Sequence, residues 1–192
     1  MALPAQQHRW TPQEYLAFER AAETRHEFVD GEVFDMAGAS RAHQKIAGNL
    51  FAGLHVRLRG RDCGAYMTDM RVQVEDWHYT YPDVIAVCGE EHIEDVQHMD
   101  TLLNPTVIIE VLSPTTEQYD RGEKFRRYRG IESLQEYVLV AQDRPMIERF
   151  TRQTDGTWQF VALEGLDAEM RLESIGCALP LADVYEKVFP EA

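Results

Sequence analysis

The chain has 192 residues, long enough for a domain with a proper core. Its 19 Lys and Arg face 33 Asp and Glu, a net charge of −14, which argues against a general polyanion binder, since non-specific nucleic-acid affinity is mostly electrostatic. Hydrophobic residues at 44% and charged residues at 27% are ordinary for a soluble globular protein, and no apolar run approaches the roughly 20 residues of a membrane span.

The stretch Met1 to Arg9 has no apolar core of signal-peptide type, so cytoplasmic residence is expected. Thr11-Pro12-Gln13-Glu14 predicts a helix start. Thr11 can cap, Pro12 fits the first helical position and Glu14 completes a capping box. This helix ends near Ala22 to Thr24. His26 to Val29 and Val33 to Met36 flank Asp30-Gly31, a hairpin turn signal, and Glu27 lies on the first arm. A second helix runs from Ser40 to about Leu58, where Ile46, Leu50, Leu54 and Leu58 form a core-facing stripe. His43 sits at its N-terminal end, as a capping or half-buried residue or as a group able to reach a phosphate or Glu27. The three cysteines, Cys63, Cys88 and Cys177, are scattered and odd in number, with no Cys-x-x-Cys. They indicate neither a disulfide framework nor a structural zinc site.

Met70, Val72 and Val74 alternate with Arg71, Gln73 and Glu75 as a half-buried strand. Asp76 to Thr80 reads as a turn leading to Pro82, so this strand and the run after Pro82 are expected to pair antiparallel. The acidic loop Glu90 to Asp100 holds His92 and His98 without ligand spacing and reads as solvated. Ser113 to Thr116 turns the chain, and either Thr115 or Asp120 is a candidate cap for the next helix. Glu136 to Val140 is another apolar strand. Met146 to Thr151 and Thr157 to Ala162 read as a hairpin, and Leu181, Val184, Tyr185 and Val188 as a short amphipathic helix. No linker or repeat interrupts the chain. One domain is expected over 1–192, with a core at about 40–141.

Two apolar runs carry one carboxylate each. Tyr81-Pro82-Asp83-Val84-Ile85-Ala86-Val87 opens on Asp83, and Thr106-Val107-Ile108-Ile109-Glu110-Val111-Leu112 holds Glu110 where both flanks argue for burial. A buried unpaired carboxylate costs several kcal/mol or takes up a proton. A bound cation, a paired Lys or Arg, or a hydrogen-bond network removes that cost. If the two runs pair, strands about 4.8 Å apart bring Asp83 and Glu110 to one divalent ion. Oxygen ligands without a His or Cys cluster favour Mg²⁺ or Mn²⁺ over Zn²⁺. Downstream, Asp120, Lys124 and Tyr128 recur every four residues, so a helix there presents all three on one face. Basic residues cluster in the same region: Arg121, Lys124, Arg126, Arg127 and Arg129, with Arg57, Arg59 and Arg61 in a second group. They read either as a local positive strip on an acidic surface or as solvated helix faces.

Pro82-Asp83, a spacer and then Glu110 resemble the PD-(D/E)XK nuclease pattern, with Leu112 at the usual lysine position. The chain is similar to the Uma-type restriction endonucleases, a branch in which the lysine has moved to the next helix, and Lys124 matches that place. The similarity takes in His26 to Glu32, His43, Asp69 to Val72, Glu110 to Pro114 and Glu136 to Val140, spanning about Thr11 to Phe189. It implies a restriction-endonuclease-like α/β fold, a mixed central sheet flanked by helices, with an N-terminal helix-hairpin and a C-terminal hairpin as additions. It implies Mg²⁺- or Mn²⁺-dependent phosphodiester hydrolysis of nucleic acid, DNA above all, by Asp83, Glu110 and Lys124. The Val111 carbonyl would complete the metal shell, Tyr128 and Asp120 would position Lys124, and Glu27 and His43 are further candidates. Cutting both strands of a duplex predicts a two-fold homodimer, with no membrane partner. Two other readings stay open: a weakly active or inactive member serving as a binding or scaffolding subunit, and a purely structural role for Glu110.

Overall fold

Thr11 caps the first helix as its sequence dictates. In the computed structural model, which describes residues 8–36, 38–95 and 97–189, Thr11 and Glu14 form the full capping box at the start of α1 (Pro12–Ala21). Most of the N-terminal stretch read against a signal peptide lies outside the described residues. β1 (His26–Val29) and β2 (Glu32–Asp35) form the expected hairpin, with Asp30 and Gly31 both at positive φ. Ser40 caps α2 (Arg41–Leu58). Ile46, Leu50 and Leu54 are fully buried, each contributing about 1.5–3 kcal/mol by leaving water.

The next strands depart from the sequence pattern. β3 (Cys63–Met67), β4 (Arg71–Glu75), β5 (His78–Thr80) and β6 (Val84–Cys88) follow in order. The expected antiparallel pair between the Val72 and Val84 runs does not form. His78 to Thr80 is a buried strand rather than a turn, and it is β5 that pairs with β4, while β6 enters a different sheet beside β3. Arg71 is the physical reason to hold β4 apart. Its buried guanidinium donates to Thr101 and Tyr81 and pairs with Asp100 at 2.9 Å, and these are partners the apolar interior of the other sheet could not supply. β7 (Thr101–Leu102) runs alongside β4 and brings Thr101 to that guanidinium.

β8 (Val107–Val111) is buried along its whole length. The helical segment after it has three parts: α3 (Glu117–Tyr119), a π-helical turn at Asp120–Lys124, and α4 (Phe125–Tyr128). Neither Thr115 nor Asp120 caps it. The segment starts after Thr116, whose side chain makes no cap, and Ser113 Oγ accepts from the Thr116 N–H instead. β9 (Glu136–Val140), β10 (Met146–Arg152) and β11 (Trp158–Glu164) complete the largest sheet. β12 (Glu169–Leu172) and β13 (Cys177–Pro180) form a hairpin that the sequence pattern did not suggest, and α5 (Leu181–Val184) is shorter than the stripe through Val188 implied.

The larger sheet has the order β11-β10-β9-β8-β6-β3, and only its β8–β9 pair is parallel. The C-terminal hairpin therefore extends the central sheet rather than decorating it. A second sheet, β2-β1-β5-β4-β7, carries the N-terminal hairpin. One face of the large sheet packs on α2, β12, β13 and α5, the other on α4 and the loop at Ile131 to Leu134. A Cβ at Gly53 would overlap Leu179, so glycine there lets α2 lie close on β13. Cys63 and Cys88, register partners on β3 and β6, are joined by a disulfide. The odd cysteine count hid this pair because the pairing of β3 with β6 is not local. Among the described residues no helix is long and apolar enough to cross a membrane.

Candidate active site

The antiparallel register of β6 and β8 pairs Val84 with Ile109, which sets Asp83, just before β6, beside Glu110. The two carboxylates are tied through the backbone. Asp83 Oδ2 accepts from the Val111 N–H at 2.7 Å, and the Asp83 N–H points at Glu110 Oε2 at 3.4 Å. Lys124 enters from the π-helical turn. Its Nζ lies 2.9 Å from Glu110 Oε1, 3.3 Å from Glu27 Oε1 and 3.7 Å from Asp120 Oδ1. Tyr128, one turn on, donates to Glu110 Oε1 at 2.8 Å. The single helix face expected of Asp120, Lys124 and Tyr128 is therefore present, and all three are buried. The five-residue π-helical turn keeps positions four apart in line.

His43 meets Asp83, not Glu27: its Nε2 is 3.2 Å from Asp83 Oδ2. Glu27, a further candidate from the sequence, is half-buried. It faces Lys124 and accepts from the Thr80 hydroxyl, whose residue the sequence placed in a turn. Thr80 is thus a site residue that no local signal marked. Its neighbour His78 is fully buried, and neither ring nitrogen has a hydrogen-bond partner among the described residues. Burial, with the Arg127 charge, pushes His78 down to about 4, so it is neutral at pH 7.

The charges in this cluster are unequal in number. Glu27, Glu110 and Asp120 surround one lysine, with Asp83 and its partner His43 beside them. Burial pushes Glu110 up to about 8, with the Asp83 and Asp120 charges adding and Lys124 opposing. Asp120 is raised, chiefly by burial. Glu27 goes the other way: burial would raise it, and the Lys124 charge with the Thr80 hydrogen bond outweighs that. Burial would lower Lys124, yet Glu110 and Glu27 hold it well above its ordinary value and keep it charged. His43 is raised although burial opposes it, because Asp83 and the Val111 backbone favour its charged form. Lys124 is thus a fixed cation among the carboxylates, and His43 is the second group whose charged form they favour.

A cleft of about 630 Å³ opens over these groups. Among the described residues no three His, Cys, Asp or Glu side chains are arranged as a metal cage. Mg²⁺ differs from caged ions in being held by one or two carboxylates plus waters and substrate phosphate, and Asp83 with Glu110 is a donor set of that kind. The excess of buried carboxylate over cation fits such an ion.

The basic strip expected beside the site is largely neutralised. Arg121 pairs with Glu117 and Glu148, Arg126 with Glu123, and Arg127 with Asp30 and Glu123. The Arg129 guanidinium lies 5.4 Å from the Phe125 ring centroid. Their partners are acidic residues three and four positions away on the same helical segment, Glu148 on β10 and Asp30 in the β1–β2 turn, and Arg126 still stands 58% exposed.

A mixed sheet whose adjacent strands present Asp83 and Glu110, with Lys124 on the following helical segment, defines a restriction-endonuclease-like protein. The fold is shared with a solved structure described as a putative nuclease belonging to DUF820 from Anabaena variabilis. The match has a TM-score of 0.76 at 19% identity and covers 94% of this chain and 99% of that one. The chain belongs to the family described as "Putative restriction endonuclease" (Uma2), which matches residues 12–182. Two relatives from Synechocystis are uncharacterized proteins. One, slr1290, is 34% identical over 176 residues, 91% of this chain and 90% of its own length. The other, sll1609, is 35% identical over 161 residues, 83% of this chain and 90% of its own length.

Proposed function

We propose that this cleft hydrolyses phosphodiester bonds of nucleic acid, DNA above all, as a Mg²⁺- or Mn²⁺-dependent endonuclease. One observation carries this: Asp83 and Glu110 sit side by side on paired strands, with the buried Lys124 amine 2.9 Å from Glu110. Asp83, Glu110 and the Val111 carbonyl would hold the ion. Bound there, a divalent ion supplies an acidified water and offsets charge on the phosphate. Lys124 keeps a fixed positive charge at the reacting group, where it stabilises negative charge developing in the transition state. Tyr128 fixes Glu110 through its hydroxyl. Asp120 and Glu27 hold the lysine in place. His43, its charged form favoured by Asp83, is placed to meet a phosphate oxygen.

Titration calorimetry with Mg²⁺ and with Mn²⁺ tests the metal assignment. Wild type is expected to bind one ion, and Glu110→Gln to bind at least about tenfold more weakly, since half of the charged donor set is gone. Equal heats from both proteins would remove Glu110 from the metal site.

A second reading has its own support. The Lys124 amine is already engaged by Glu110 and Glu27, which is also what a structural ion-pair network looks like. Such a protein would serve as a binding or scaffolding subunit, and it would bind neither ion in the calorimeter.

We further propose one domain over the described residues, and a two-fold homodimer wherever both strands of a duplex are cut, since each cleft handles one strand. Sedimentation at micromolar concentration is expected to give twice the 22.1 kDa chain mass; a monomer would remove the paired-cut arrangement.

A further inference from the structure

We propose that the strand engaged by this cleft is unpaired, and that Phe34 stacks on one of its bases. This rests on the phosphodiesterase assignment above and names its substrate class; it needs one cleft only and does not depend on a dimer.

The register of the N-terminal hairpin carries it. Phe34 on β2 is the cross-strand partner of Glu27 on β1, and directly opposed residues point to the same face. Glu27 reaches Lys124, so the Phe34 ring stands next to the carboxylate–lysine cluster. Met36, two residues on, joins Phe34 in lining the cleft. Phe34 is 48% exposed and Met36 40%, and neither belongs to any of the three apolar core clusters. β2 is an edge strand, so among the described residues no strand of the sheet lies beyond it. A large exposed aromatic beside a buried charged centre has a face to offer and no internal use for it.

Two further facts select an unpaired strand over a duplex. Duplex affinity comes mainly from Lys and Arg on phosphates; Lys124 is the one Lys or Arg among the described residues lining the cleft, and Arg121, Arg126 and Arg127 on the same helical segment are each paired with an acidic partner. The cleft, at about 630 Å³, falls within the roughly 300–1,000 Å³ of small-molecule sites, room for a nucleotide or two. Base–aromatic stacking is sequence-tolerant and can replace part of the missing backbone attraction.

The test is fluorescence anisotropy of the full chain with a labelled oligodeoxythymidine of about twelve nucleotides, the same strand annealed to its complement, and an abasic strand of equal length, all in Ca²⁺ in place of Mg²⁺. Wild type is expected to bind the single strand at least about tenfold more tightly than the duplex. Phe34→Ala is expected to weaken single-strand binding about tenfold, Phe34→Trp to restore it, and the abasic strand to be bound equally by wild type and Phe34→Ala. Thermal melts of the variants should match wild type, because Phe34 is exposed on an edge. Equal weakening on the abasic strand, or a duplex bound as tightly as the single strand, would overturn the proposal. Cleavage of both substrates with Mg²⁺ is scored separately. Phe34-dependent binding without any cleavage keeps the stacking subsite and removes the phosphodiesterase. Cleavage indifferent to Phe34, with indifferent binding, does the reverse.

Discussion

Asp83→Asn and Glu110→Gln each abolish Mg²⁺-dependent plasmid cleavage, and the double variant is scarcely worse than either. That is the expected result if the two carboxylates act as a unit on one ion. Both changes preserve an acceptor oxygen. The amide replacing the Asp83 carboxylate can still receive the Val111 N–H, and the one replacing Glu110 can still receive the Tyr128 hydroxyl. Asp83→Asn removes one negative charge from a crowded cluster, and Glu110→Gln puts a neutral amide where burial already holds the carboxyl protonated up to about pH 8, so metal-free melting temperatures should stay level or rise. The pH dependence separates the two variants. In the unfolded chain Glu110 titrates near 4.5, and in the fold it is raised to about 8 by burial. Between those values the folded state holds more proton than the unfolded state. Glu110's contribution to stability is therefore present below pH 4.5 and is lost as pH rises toward about 8. Melts of metal-free wild type across that window should fall relative to Glu110→Gln, which lacks the titration. Full plasmid cleavage by Glu110→Gln would sink the mechanism. A collapse in melting temperature for both variants would favour the structural ion-pair network.

Much of this centre was legible because its signals are local. A glutamate inside Val-Ile-Ile-Glu-Val-Leu is costly unless something neutralises it, and the structure supplies Lys124. The Thr11 box, the Asp30-Gly31 turn and the every-fourth-residue stripe of α2 each fix one element by themselves. What stayed hidden depends on distant partners. β3 reads Cys-Gly-Ala-Tyr-Met, half-buried throughout with no apolar alternation, and it becomes a strand only because β6 and α2 lie against it. The β4–β6 pair failed because the buried Arg71 belongs to a different sheet. His43 took Asp83 as its partner because the N-terminus of α2 projects over the β6–β8 seam. Of the acidic partners of the arginine strip, Glu117 and Glu123 were legible at three- and four-residue spacing, while Asp30 and Glu148 are remote in the chain and stayed hidden.

Lys124→Met is expected to do two things that a mobile surface lysine would not. The side chain is 8% exposed and its amine faces Glu110, Glu27 and Asp120. Removing it leaves three neighbouring carboxylates, two of them buried, without their cation. Breaking a buried pair from one side typically costs about 3–5 kcal/mol. At roughly 2–4 °C per kcal/mol for a chain of this size, the metal-free variant should melt on the order of 10 °C below wild type. Carboxylates that have lost the lysine favour any other positive charge, so millimolar Mg²⁺ should recover part of that loss in Lys124→Met and add less to wild type. Metal binding therefore survives the substitution, while the rate does not. The loss of one charge-stabilising group predicts cleavage slower by roughly 10² or more at saturating Mg²⁺. Melts with and without Mg²⁺, run beside plasmid cleavage, read both effects on one preparation. A variant that melts like wild type without metal would mean that the ion pairs around Lys124 carry no stability. A variant that binds Mg²⁺ and cuts at the wild-type rate would take the lysine out of the reaction altogether.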